Sequence, residues 1–126
     1  MKNKSPIIPQ RVRRISGSFS CLDHRLLNRG FLRQMEPEDM LLYFFLVLVG
    51  DKNGVSFYSY DRILDFLKLT LDQFNIARNR LVKMSLIAIQ DSRFQVLELP
   101  DEPWTADSGR SQKTMSLKQI FQKASQ

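Results

Sequence analysis

The sequence predicts a mostly helical α+β domain, and three observations carry that expectation. Apolar residues recur at helical spacing in several separate stretches, most clearly Phe74, Ala77 and Leu81. Met40–Val49 is an unbroken apolar run, too short to cross a bilayer and suited to a buried helix. From Leu86 the spacing changes to alternation, with Ile87 and Ile89 in one arm and Phe94 and Val96 in the other. At 126 residues and 43% hydrophobic, the chain can build the core of one domain with tails at either end.

Residues 1–19 (MKNKSPIIPQRVRRISGSF) hold two prolines, a glycine and the cluster Arg11, Arg13 and Arg14. That composition predicts an extended basic N-terminal arm. Its two readings are a tail lying along a polyanion and a solvated tail that aids solubility. Ser20 is expected to start a short helix, with Asp23 completing a capping-box variant, Leu22, Leu26 and Leu27 as its apolar stripe and Gly30 past its end.

Glu36-Pro37-Glu38-Asp39 opens the next helix, with proline in the first turn and acids at the positive end of the dipole. The apolar run that follows makes this the central helix, expected to be covered on several sides and ended by Gly50. Asp51-Lys52-Asn53-Gly54 is a turn. Val55 and Phe57 alternate with Ser56 and Tyr58 as a short strand, and Ser59 caps a two-turn helix with Ile63, Leu64 and Leu67 inward.

A tight connection at Lys68-Leu69 leads to Thr70, an N-cap whose capping-box partner is Gln73. The helix 71–84 buries Phe74, Ala77 and Leu81 and turns Gln73, Asn75, Ile76, Asn79, Arg80 and Lys83 outward. The hairpin 86–99 closes the domain around Asp91-Ser92, with Arg93 as the one cation at its tip. A bulge or edge transition is expected near Val96, where the apolar phase shifts to Leu97 and Leu99. Residues 101–113 read as a linker, so the domain spans 20–100. At 114–126, Leu117, Ile120, Phe121 and Ala124 follow i, i+3, i+4, i+7 on a short amphipathic helix. That stripe is expected to dock on its own domain or to contact a second subunit or protein partner.

The net charge of +6 is unevenly spread. Residues 1–35 carry eight Lys/Arg against one acid, whereas residues 36–100 carry seven against nine. The polyanion-binding character therefore sits in the arm, and the helix-and-hairpin module is slightly acidic. One cysteine excludes an intrachain disulfide, and the N-terminus lacks the apolar core of a secretory signal, so a soluble cytoplasmic protein is expected. Cys21 and His24 lie three apart, but a closed zinc site would need carboxylates or a second subunit. An ordinary buried thiol and a surface or hydrogen-bonded imidazole are expected instead, with no metal and no cofactor. No Walker-type loop or GxSxG occurs, and Asp61, Asp65 and Asp72 read as helix-start or surface acids, so no enzyme is expected.

The segment ILDFLKLTLDQFNIARNRLVKMSLI, Ile63 to Ile87, resembles the helix-turn-helix of bacterial winged-helix DNA-binding proteins. Their pattern matches the threonine cap and the inward positions of Phe74, Ala77 and Leu81. It differs where they often carry glycine, at Lys68 in the turn and at Ser85 before Leu86-Ile87. Both positions often want positive φ. The stretches PQRVRRISGSFSCLDHRLL, YFFLVLVGDKNGVSFYS, FQVLELP and MSLKQIF make the wider chain similar to small winged-helix proteins encoded beside bacterial mobile elements.

The resemblance implies a winged helix-turn-helix and, as its leading function, duplex DNA binding by a regulator or accessory factor. Gln73, Asn75, Ile76 and Asn79 are the base-edge candidates, because Asn and Gln pair with adenine and Ile meets a thymine methyl. Arg78, Arg80, Lys83 and Arg93 are phosphate candidates, joined by Arg11, Arg13 and Arg14 of the arm. The alternative is a protein-interaction module in a replication or transposition assembly, with Leu117, Ile120 and Phe121 as its contact stripe.

Overall fold

The structure, a computed structural model, describes residues 4–103. Its elements are α1 (Arg25–Asn28), α2 (Pro37–Val49), β1 (Val55–Phe57), α3 (Tyr60–Leu67), α4 (Leu71–Lys83), β2 (Ile87–Gln90) and β3 (Arg93–Val96), with single 3-10 turns at Pro9–Arg11 and Leu32–Gln34. The three strands form one antiparallel sheet in the order β1-β3-β2. The chain is thus α+β, in a layout compatible with a winged helix. None of the described helices is long and apolar enough to cross a membrane.

Helix α2 is the hub. Its Leu42, Phe45 and Leu46 are buried with Phe74, Ala77 and Leu81 of α4, Ile63 of α3, and Ile87 and Phe94 of the sheet. Leu26, Phe31 and Met35 close the core from the N-terminal side and Leu99 closes it after β3. The expectation that α2 is covered on several sides is only half right. Leu41 (44% exposed), Phe44 (37%) and Leu48 (67%) form an uncovered apolar stripe along it. The rest of the core packs on the other side of α2 and leaves these three side chains partly open to solvent.

The N-terminal expectations also shift. The helix begins at Arg25 rather than near Ser20, because the first turn is organised by Asp23, while the Ser20 hydroxyl donates to the Leu48 carbonyl at 3.3 Å. That carbonyl lies at the end of α2, where the last C=O groups lack intrahelical donors. Asp23 receives the Arg25 amide at 2.9 Å and pairs with its guanidinium at 2.8 Å. Of the expected stripe only Leu26 is buried; Leu22 and Leu27 are exposed. Cys21 is exposed too, not a core thiol. Gly30 follows α1 at φ 82°, as a residue past a helix end should.

Strand β1 forms where expected, with Ser56 rather than Phe57 turned inward. Phe57 is 67% exposed while Ser56 is 5% exposed, its hydroxyl without a partner among the described residues. Tyr58 decides the phase: its ring meets Phe45 of α2 edge-on at 5.3 Å, and Ser56 shares its side of the strand. The turn before β1 is organised by Asp51, whose carboxylate accepts the Asn53 and Val55 amides at 2.8 and 3.0 Å. These two N–H groups hold its carboxyl below the usual range. Gly54 sits at φ 79°, and a Cβ there would lie 2.7 Å from the Val96 carbonyl oxygen.

Candidate nucleic-acid interface

Helix α4 is held by one face and presents the other. Thr70 caps it, accepting the Gln73 amide at 3.1 Å, and the Gln73 side-chain oxygen accepts the Thr70 amide at 2.9 Å. Phe74, Ala77 and Leu81 point into the core. At roughly 100° per residue, Asn75, Ile76, Asn79 and Lys83 fall on the opposite side. Ile76, Asn79 and Lys83 are exposed and Asn75 is half-buried, so the described chain leaves that side open.

The other candidates are placed differently. Gln73 uses one lone pair of its carbonyl oxygen on the cap, which ties its side chain back to the start of the helix. The Arg78 guanidinium lies over the Phe74 ring, 5.7 Å from its centroid, on one flank of the helix. Arg80 leans off the other flank to Asp39 of α2, Nη1 to Oδ1 3.5 Å. Arg93 donates to the Gln90 side chain at 2.9 Å, across the tip of the β2–β3 hairpin. The hairpin turn is two residues long with Asp91 at φ 56°, and the strand pairing stops at Val96, short of the expected 99. Leu97 still donates its amide to the Leu86 carbonyl, one step past the last paired residue.

Arg11, Arg13 and Arg14 are exposed on the arm, which meets the body at the Ser20–Leu48 hydrogen bond. They are separate from the α4 cluster in the sequence and belong to a different element. Leu117, Ile120 and Phe121 lie outside the described residues.

Two residues, read from the sequence only as helix-start acids, bear on the candidate interface. Asp39 is fully buried, accepts the Glu36 amide at 2.9 Å and faces Arg80. Burial pushes its carboxyl up, and the Glu36 amide and the Arg80 charge pull it partly back. An acid in a first turn looks like a dipole partner, so nothing local marked it as an anchor for a cation on another helix. Asp72 is exposed near the start of α4 and falls on the side that carries Ile76 and Asn79. A carboxylate there repels phosphate and can accept a hydrogen bond from the amino group of cytosine. Compared with protein-family models, with curated proteins and with solved structures, the chain matches none of them.

Proposed function

We propose that the protein binds duplex DNA, with the outward side of α4 in the major groove and the β2–β3 hairpin and basic arm on the backbone, as a regulator or accessory factor. One observation carries this reading. A helix anchored by three buried side chains presents Asn75, Ile76, Asn79 and Lys83 to solvent, directly before a short hairpin tipped by Arg93. Asn75 and Asn79 suit adenine edges and Ile76 a thymine methyl, while Lys83 and Arg93 suit phosphates. Arg80 serves phosphate less well than its charge suggests, because Asp39 already neutralises it.

Selection from a random duplex pool identifies the site, and a salt titration on the selected duplex tests the mechanism. Affinity falls steeply as salt rises if phosphates are contacted; a flat response overturns the reading. Replacing Arg11, Arg13 and Arg14 by alanine weakens binding to all duplexes and reduces the salt slope by about three.

The second reading, a protein-interaction module in a replication or transposition assembly, is favoured by the uncovered Leu41–Phe44–Leu48 stripe. The two readings use different faces. A partner engaged through α2 is lost on Leu48→Glu and kept on Asn79→Ala.

A further inference from the structure

On a helical wheel, Leu41, Phe44 and Leu48 fall within roughly 60° of one another and roughly opposite Asp39. Asp39 is the residue that touches Arg80 of α4, so the stripe points away from the candidate interface. Apolar surface continues beside it. Val47, beside Phe44 on the wheel, lines an open depression of about 620 Å³ with Phe19, Leu22 and Leu97, whose rim also carries Asp23, Arg25, Asp51 and Glu98. The Ser20–Leu48 hydrogen bond holds Phe19 and Leu22, both exposed, at the end of the stripe.

We propose that this face is covered by the chain's own C-terminal segment, with Leu117, Ile120 and Phe121 laid along α2 between Leu41 and Leu48. The two apolar sets match in length. Leu41–Leu48 and Leu117–Ala124 each span seven residue steps, about 10 Å if both are helical. Their charges are complementary. Residues 108–126 hold four Lys/Arg and no acid, while Glu38, one turn from Leu41 and not buried, is an acid.

The connection is long enough. Residues 104–116 can reach about 40 Å when extended, more than the roughly 30 Å breadth of a domain this size. A second copy suits the face less well. Three partly exposed side chains offer on the order of 300 Å², short of the roughly 800 Å² per partner in a stable interface. An intramolecular segment meets the face at millimolar effective concentration and needs far less area. The proposal is independent of DNA binding, and its test contains no DNA.

The test is a nitroxide attached to Gln122→Cys in full-length Cys21→Ser protein, read by amide signal intensities. The amides of Leu41, Phe44 and Leu48 lose most of their intensity, and those of Asn75 and Asn79 keep theirs. Leu48→Glu restores the lost signals, and so does Phe121→Ser, which alters no residue of the described domain. Full intensity along α2 in the spin-labelled protein overturns the proposal. So does broadening that appears when isotope-labelled chains without nitroxide are mixed with unlabelled chains that carry it, because the contact is then between copies.

Discussion

Helices α2 and α4 are each 13 residues long, pack against one another, and begin with a side chain at the third helical position that accepts the N-cap amide. What differs is the side each turns away from the core. On α2 that side is Leu41, Phe44 and Leu48; on α4 it is Asp72, Ile76, Asn79 and Lys83. Burial dictates the inner faces of both, since either helix would be unstable without its apolar contacts. Nothing in the packing dictates the outer faces. Their opposite chemistry suits opposite uses, apolar cover for α2 and a polar, charged ligand for α4.

The strongest way to break this comparison is through the shared seam. Leu46→Ala removes a fully buried side chain and is expected to cost about 2–5 kcal/mol, read as a lower urea midpoint. A loss below about 1 kcal/mol contradicts α2 as the hub. The outer face of α4 sharpens the contrast from the other side. Asn79→Ala leaves the midpoint within about 0.5 kcal/mol. In binding to the selected duplex it changes discrimination at one base pair by about 1–3 kcal/mol. Unchanged preference removes Asn79 from the readers.

The bridge between the helices gives a pH test. Burial raises the Asp39 carboxyl, so the folded state holds its proton more readily than the unfolded chain. The sign follows: wild-type stability falls relative to Asp39→Asn as pH rises through and above the ordinary carboxylate range, and the two converge below it. Asn keeps an acceptor for the Glu36 amide and releases Arg80, so Asp39→Asn also steepens the salt dependence of DNA binding. Urea midpoints between pH 3 and 7 check the first part. A gap that widens toward low pH contradicts it.

The smallest effect concerns the turns that set α4 in place. Lys68 at φ 58° and Ser85 at φ 62° hold left-handed conformations that cost most residues about 1–2 kcal/mol. Glycine removes that strain but adds unfolded-state entropy. Lys68→Gly and Ser85→Gly are therefore expected to stabilise by about 0.5–1 kcal/mol each, read in thermal unfolding.

These two turns also measure how far local sequence reached. Both were marked as positions wanting positive φ because a lysine and a serine stand where the helix-turn-helix pattern often has glycine, and both adopt it. The Thr70–Gln73 cap, the Phe74–Ala77–Leu81 stripe and the hairpin were likewise legible, since caps and periodicity are set within a few residues.

What failed did so at a distance. Ser20 meets a carbonyl 28 residues away instead of starting a helix, and Ser56 rather than Phe57 turns inward because Tyr58 on its side of the strand meets Phe45. Arg80 lost its freedom to Asp39 across 41 residues.

The sequence by itself determined which segments become helix or strand and which side of α4 is polar, because these depend on neighbours within a turn or two. Only the tertiary structure decided which apolar residues are left uncovered and which cations are already neutralised. Those outcomes depend on which elements meet in space. The exposed stripe of α2 therefore reads as core in the sequence and as surface in the fold.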